Sequence, residues 1–188
     1  YDTAGTLIQE VPTLGQGGVG GNAGGIATSN GTVAVVNFGS QTVSLFSRGD
    51  AGFELRQTIP TSSQPVSVAF GKTHLYVLGT TTVESHRLGP DGVEANADGI
   101  AGLLVADGSA AQVAVAGDEV VAGNGSNSRS SAVKIWTVDR TGNHQSVDKP
   151  ISQPNSLLSV AFSRDATELL TSAADGTAKL WNRSGGQP

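Results

Sequence analysis

The side chains best suited to acid–base chemistry stand together in the segment Glu84-Ser85-His86-Arg87. A carboxylate, an imidazole and a guanidinium could supply the base, the acid and the cation that a hydrolytic reaction requires. On a strand, however, Glu84 and His86 share one face while Ser85 and Arg87 share the other, and a solvated outer face explains the same pattern. Glu84, His86 and Arg87 are therefore weak catalytic candidates, and no third group is visibly bound to them.

Other chemistry has less support in the sequence. Arg129 and Arg140 are alternative cations for the same reaction. The three histidines, His74, His86 and His144, stand in unrelated sequence contexts. Zinc binding by histidine alone is not indicated, because zinc needs three or four converging ligands. Residues 15–20 match the GxGxxG pattern of dinucleotide sites, but they join two predicted strands, whereas such a site lies between a strand and a helix. The sequence thus predicts no cofactor and no metal.

A four-residue phrase occurs four times along the chain, about every 42 to 47 residues. Its copies are Gly25-Ile26-Ala27-Thr28, Ser67-Val68-Ala69-Phe70, Gln112-Val113-Ala114-Val115 and Ser159-Val160-Ala161-Phe162. Each copy is followed by a turn, a short apolar run, a second turn and a run that ends in a bulky residue. Those closing residues are Phe46, His86, Trp136 and Trp181. Repeats of ~40–50 residues with several short strands are typical of β-propeller blades.

The sequence therefore predicts an all-β protein, a β-propeller of about four four-stranded blades in a single domain over residues 1–188. The blade repeats start near residues 25, 67, 112 and 159. Residues 1–13 look like a fourth strand without a blade in front of it, and the last repeat stops after its third strand. We predict that Leu7 to Val11 closes the last blade by pairing with residues 178–181, within the chain or across a dimer. A closed four-blade ring, half of a larger ring and a fragment of a seven-bladed propeller all fit this pattern.

Composition argues against several classes of partner. Charged residues make up 14% of the chain, the net charge is −5, and the 11 basic residues are scattered, which argues against nucleic acid binding. No apolar run reaches the ~20 residues of a membrane-spanning helix, so no membrane span is predicted. The sequence contains neither Cys nor Met, so it has no disulfide and no thiolate nucleophile, and this composition favours an extracellular protein.

Residues 5–124 resemble the bacterial lactonase-type propellers. The matching phrases, in the order and spacing of that family, include residues 15–21, 34–40, 42–46, 64–69, 75–78 and 89–92. Members of the family are about twice this length, so blades are missing here or the chain is incomplete. The resemblance implies a propeller fold and, for those members that are enzymes, hydrolysis of sugar lactones or muconate-type lactones. The active-site residues of the lactonases do not map onto positions of this sequence.

Residues 159–182 resemble a WD40 repeat, through the segments 159–165, 173–177 and 179–182. In WD40 blades a hydrogen-bonded set of His, Ser/Thr, Asp and Trp locks the sheet. Ser172, Asp175 and Trp181 stand where three of these members belong, whereas the histidine is missing because residues 154–156 replace the Gly-His pair. Trp136 repeats the tryptophan in the third blade. The resemblance implies structural roles for all four residues.

Three functions remain open on these observations. The first is a noncatalytic extracellular propeller that binds a protein partner or builds an assembly, which the low charge and the missing acid–base set favour. The second is a lactonase-type hydrolase of sugar or related lactones. The third is a propeller fragment or half-ring that self-associates as a homo-oligomer through unsatisfied blade edges. The sequence leaves enzymatic activity open and favours its absence.

Overall fold

Four antiparallel β-sheets follow one another along the chain in the computed structural model. It describes residues 5–18, 24–117, 119–124, 131–147 and 149–183. Over these residues the chain has seventeen strands and no helix, in four antiparallel sheets of three to five strands. The prediction of an all-β protein with four blade-like sheets is confirmed, whereas among the described strands only the first sheet has the predicted four. Within the same residues there is no helix long and apolar enough to cross a membrane.

The first blade contains four strands in sequential order. They are β1 (Ile26–Ser29), β2 (Thr32–Asn37), β3 (Thr42–Gly49) and β4 (Gly52–Pro60). Asn30 and Gly31 connect the first two strands with φ angles of 46° and 78°. Two consecutive residues with positive φ make the tight turn that matches the twist of a hairpin, which is why Asn-Gly is favoured there.

The second blade has a divided outer strand. Its elements are β5 (Pro65–Phe70), β6 (His74–Gly79), β7 (Thr82–Gly89), β8 (Gly92–Val93) and β9 (Gly99–Gly102). The short β8 pairs with the end of β7 through Leu88 and Gly89, whereas β9 pairs with its beginning. The outer edge of this blade is therefore made of two pieces, separated by residues 94–98.

The third blade repeats this division. Its elements are β10 (Ala110–Ala116), β11 (Glu119–Asn124), β12 (Ser131–Val138), β13 (His144–Ser146) and β14 (Ile151–Gln153). Both β13 and β14 pair with β12, at its end and at its beginning respectively.

The fourth blade has three strands among the described residues, in the order β15 (Leu157–Phe162), β16 (Glu168–Ala173) and β17 (Ala178–Asn182). The predicted fourth strand, Leu7 to Val11, is not part of this sheet in the described chain. Residues 5–13 form no strand, and the Gln9 side chain instead exchanges two hydrogen bonds of 2.8 Å with the backbone of Phe53 in the first blade. Closure across a dimer stays a prediction.

Apolar side chains fill the space between successive blades. One cluster joins Ala34, Val43 and Leu45 of the first blade to Val68 and Val77 of the second. A second cluster lies between the second and third blades around Tyr76 and Trp136, and a third lies between the third and fourth blades around Ile135 and Leu169. Burial of each such side chain contributes roughly 1.5–3 kcal/mol, so these three interfaces hold the blades in sequence.

Polar contacts between the inner strands β1, β5, β10 and β15 supplement this packing. The Val68 N–H donates to the Gly24 carbonyl at 2.9 Å. The Val113 N–H donates to Ser67 Oγ at 3.2 Å, and the Val160 N–H donates to Gln112 Oε1 at 3.1 Å. Each blade is thus tied to the one before it, whereas strands of the first and fourth blades share no substantial contact within the described residues.

Candidate functional site

The predicted acid–base pair lies in the interior of the molecule. Glu84 and His86 are only 2% and 1% exposed. They therefore do not lie on a solvated outer face, which was the alternative explanation of their pattern. His86 Nε2 lies 3.3 Å from Glu84 Oε2. A general acid or base must come within about 3 Å of the proton that it transfers, and this burial removes both side chains from contact with a substrate.

Two backbone groups fix this pair. The Ser62 N–H donates to Glu84 Oε1 at 2.6 Å, and His86 Nδ1 lies 3.1 Å from the Glu94 carbonyl oxygen. Because a carbonyl only accepts, the His86 Nδ1 atom donates the proton of that contact. Glu84 and His86 are thus a buried structural pair that links the second blade to the loop that follows β4.

Arg87 belongs to a different cluster, on the opposite face of β7. Its Nε and Nη2 atoms lie 2.8 Å and 2.7 Å from Asp98 Oδ2. The same oxygen is 3.2 Å from Nε2 of the fully buried His74, and His74 Nδ1 is 2.9 Å from Thr73 Oγ1. The structure therefore separates Arg87 from Glu84 and His86. The sequence contained no signal for the pairing of His74 with Asp98, because His74 begins β6 and Asp98 lies 24 residues later, in the segment between β8 and β9.

His144 of the third blade packs against this part of the second blade. Its ring lies edge-on to Trp136 with the ring centroids 6.4 Å apart. Burial lowers the pKa of His144 to about 4, and the nearby His74 adds to this effect. His144 is therefore neutral at pH 7. Gly99 must be a glycine here, because a Cβ atom would collide with the Gly142 carbonyl oxygen of the facing blade.

The hydroxyl that holds Trp181 belongs to Thr171 and not to Ser172. Trp181 Nε1 donates to Thr171 Oγ1 at 2.9 Å, and Nε2 of the buried Gln153 donates to the same oxygen. Thr171 in turn lies 3.5 Å from the Lys179 carbonyl. Because Leu169 pairs with Trp181, Thr171 lies on the same face of the sheet as the indole and Ser172 lies on the other.

Asp175 and Trp136 have other surroundings. Asp175 accepts hydrogen bonds from Thr177 within the turn and from Asn155 Nδ2 at 2.7 Å, and the Thr177 hydroxyl holds the pKa of this carboxyl below its usual range. Trp136 is buried between the second and third blades. Ala122 pairs with Lys134 in the third blade as Thr171 pairs with Lys179 in the fourth. The third blade therefore has alanine where the fourth has the hydroxyl that binds the tryptophan.

Replacing Thr171 with valine is expected to lower the free energy of unfolding by about 1–3 kcal/mol, because the partly buried indole N–H of Trp181 and the buried amide of Gln153 both lose their acceptor. Urea denaturation measures this loss. The matched control is Ser172→Ala, which removes the neighbouring hydroxyl and should change stability by less than about 0.5 kcal/mol. The reverse order of the two variants would show that Ser172 holds the tryptophan.

A surface pocket of about 590 Å³ lies between the first and second blades. Its apolar lining includes Leu45, Phe46, Phe70, Leu88 and Val93, of which Leu45, Phe46 and Val93 are buried. The polar side chains that line it and are exposed are Asn30, Arg56 and Asp91. An apolar interior with a few polar groups at its mouth is typical of a ligand-binding pocket, and sequence reasoning missed it.

Local contacts hold the mouth of this pocket in place. Arg56 Nε donates to Ser47 Oγ at 2.7 Å, and Arg56 Nη2 lies 3.0 Å from Glu54 Oε2. Asp91 stands in the turn between β7 and β8, which Gly92 permits with a φ of 132°. The two blades therefore present one cation and one anion beside an apolar space.

The remaining sequence candidates lie apart from this pocket. Arg140 is exposed in the turn between β12 and β13, and Arg129 lies outside the described residues. The glycine-rich residues 15–18 contact the turn that follows β2, where the Gly39 N–H donates to the Gln16 carbonyl at 2.8 Å, and residues 19–23 lie outside the described part.

The crystal structure of Saccharomyces cerevisiae Sqt1, a WD40 β-propeller protein, is similar to this chain with a TM-score of 0.67 and 13% sequence identity. The fold is WD40-like. The similarity covers 86% of this chain but 45% of Sqt1, so the chain spans less than half of that protein. No family model and no curated protein matches the sequence, and a relationship to the lactonase-type family therefore has no support from these comparisons.

Proposed function

We propose that this protein is a noncatalytic propeller scaffold that binds a protein partner in the pocket between its first and second blades. The observation that carries the proposal is the pocket itself, about 590 Å³ of apolar space with polar groups at its mouth. Pockets of roughly 300–1,000 Å³ with this composition are typical of sites that enclose small ligands, and we propose that this one encloses a side chain of the partner. A WD40-like fold is compatible with such a role, although the fold alone does not assign it.

The occupant that suits this pocket is a short peptide segment of a partner protein with one aromatic or branched aliphatic anchor. Phe46, Phe70 and Leu88 offer an apolar surface to such a side chain. Arg56 and Asp91 stand beside it with opposite charges, so they suit the carbonyl and N–H groups, or a pair of opposite charges, that flank the anchor. A buried anchor surrounded by polar contacts is the common arrangement of a binding hot spot.

The noncatalytic part of the proposal is supported by the surroundings of the candidate catalytic residues. Glu84 and His86 are buried against each other, and Arg87 binds Asp98 on the other face of the strand. A lactone hydrolase would need a base, an acid and an oxyanion partner that converge on one substrate atom. These three residues do not converge.

The binding proposal is tested by selecting peptides from a displayed library against the whole chain and measuring their affinity by fluorescence anisotropy. Ser29→Trp places a large ring among the residues that line the pocket. We expect it to weaken binding of the selected peptides by at least roughly tenfold, which is about 1.4 kcal/mol. The control is Arg164→Trp, which adds the same ring in the turn after the first strand of the fourth blade, away from the pocket. Unchanged binding by Ser29→Trp would overturn the proposal.

We also propose that the protein acts outside the cell. The support for this location is its composition, which contains no Cys and no Met that an oxidising environment could attack. Immunoblots of cell and medium fractions of the source organism test it. Recovery from the cell interior alone would overturn the proposed location without affecting the binding proposal.

A further inference from the structure

Most large apolar side chains that stay exposed lie at the two ends of the row of blades. In the first blade and the segment before it they are Leu7, Ile8, Leu14 and Ile26, and in the last blade they are Leu158, Leu170 and Leu180. Exposed apolar surface that is concentrated in this way marks an interaction site more often than scattered residues do.

The open face of the last blade has the composition of a buried interface between blades. Leu180 is 62% exposed and stands directly opposite Leu170 on β16. The residues at the place of Leu180 in the first three blades are Leu45, Ser85 and Ile135, and they are 3%, 0% and 4% exposed. In those blades the following blade covers this face. Leu180 therefore marks a surface that suits a further blade.

The open face of the first blade is the complementary half of the same interface. Ile26 is 65% exposed, whereas the residues at its place in the later blades, Val68, Val113 and Val160, are 3%, 3% and 1% exposed. The second, third and fourth blades bury this position beside the blade that precedes them. Ile26 therefore marks a surface that suits a preceding blade.

The hydrogen bonds of Ser159 extend the same repeat. Ser67 Oγ donates to the carbonyl of Gly24 in the preceding blade and accepts from the Val113 N–H of the following one. Ser159 Oγ likewise donates to Gln112 of the preceding blade. If Ser159 follows the pattern of Ser67, its Oγ atom accepts a hydrogen bond from an inner-strand N–H of a following blade. Ile26 is the residue of the first blade that corresponds to Val113 and that would donate this N–H.

From these two faces we infer that a second copy of this chain completes the propeller. Two rows of four blades make one eight-bladed ring with two-fold symmetry, in which the Leu170 and Leu180 face of each copy packs on the Ile26 face of the other. The part of Sqt1 that is similar to this row is 45% of that chain, which leaves length for a second row of the same size in a propeller of this fold. Closure within one chain would bury Ile26 and Leu180 against each other, yet both are exposed.

Among the described strands, β17 neighbours β16, and the same ring brings the other edge of β17 towards residues 7–11 of the second copy. The sequence predicts that these residues pair with this edge across a dimer. An interface between two different faces closes into a ring only when the rotation between copies closes, and otherwise it produces open chains of copies. The number of copies in solution therefore tests the inference directly.

Size-exclusion chromatography with light scattering on the whole chain is expected to show a single species of about twice 18.9 kDa. Leu180→Asp and Ile26→Lys should each be monomeric, because each places an unpaired charge in both interfaces of the ring. Mixing the two variants should restore a dimer, since one interface then pairs Asp with Lys and the other has both native residues. Ile100→Asp, at an exposed apolar side chain of the second blade, is the control that stays dimeric.

Several outcomes would overturn the inference. A wild-type chain that is monomeric up to high concentration, or a ladder of larger species, excludes a two-copy ring. A dimer that persists in both single variants shows that copies meet elsewhere. Circular dichroism spectra must match the wild type, and recovery on mixing provides a second measurement if one variant is less stable. Failure of the mixture to dimerise also excludes the proposed pairing of faces.

Discussion

Replacing Trp136 with alanine is expected to lower the free energy of unfolding by about 3–5 kcal/mol, the range for emptying a large aromatic site in a core. The indole is buried between the second and third blades, where it packs with Tyr76 and Val113. The His144 ring stands edge-on to it, and Lys134 Nζ lies 5.0 Å from the centre of its ring. The variant would leave a cavity at the interface that joins the two halves of the row.

Equilibrium denaturation in urea measures this loss. Trp181→Ala is the matched comparison, because Trp181 closes the corresponding strand of the last blade but is only partly buried. We expect a smaller loss for Trp181, even though Thr171 Oγ1 then loses one of its donors. A loss for Trp136→Ala of under about 1 kcal/mol would show that this interface is not a packed core.

Replacing Glu84 with alanine is expected to lower the free energy of unfolding by about 3–5 kcal/mol, because it removes the buried carboxylate that lies 3.3 Å from His86 Nε2. The same change leaves the Ser62 N–H without the carboxylate oxygen that accepts it at 2.6 Å. Both penalties fall on groups that water cannot easily reach.

The control is Glu54→Ala, which breaks the exposed ion pair with Arg56, whose atoms are 3.0 Å apart. Exposed pairs contribute only about 0–1 kcal/mol, so this variant should be almost as stable as the wild type. The double variant Glu84→Leu/His86→Phe should recover much of the loss, because an apolar pair of similar size needs no counter-ion. Equal losses for Glu84→Ala and Glu54→Ala would contradict the buried ion pair.

The blades themselves could be predicted from the sequence, because their evidence is local. The repeated phrase and the Asn30-Gly31 turn require only short-range backbone preferences and the alternation of apolar residues. The same alternation correctly placed Glu84 and His86 on one face of β7 and Arg87 on the other. It could not place that face inside the molecule, since the group that satisfies Glu84 is the Ser62 N–H in the loop after another blade.

Thr171 and Ser172 show that the sequence also could not decide which of two adjacent residues contacts a given side chain. Ser172 and Thr171 are both hydroxyl residues beside the tryptophan, and only the register of β16 with β17 decides which one lies on its face. Gln153 reaches Thr171 from the outer strand of the preceding blade, so no motif within the last repeat could indicate it. The position of residues 7–11 likewise depends on which strand edge in the folded protein can pair with them, and the sequence does not determine this.

The sequence by itself determined that this protein is built of four similar sheets, because each sheet follows from residues close together in the chain. Only the tertiary structure decided which faces of those sheets are covered. The interior of the pocket, the burial of Glu84 and the exposure of Ile26 and Leu180 all depend on where a neighbouring blade lies or is missing. Burial is a property of the contacts between distant segments, and a repeat with the same sequence pattern has a different environment at the end of the row.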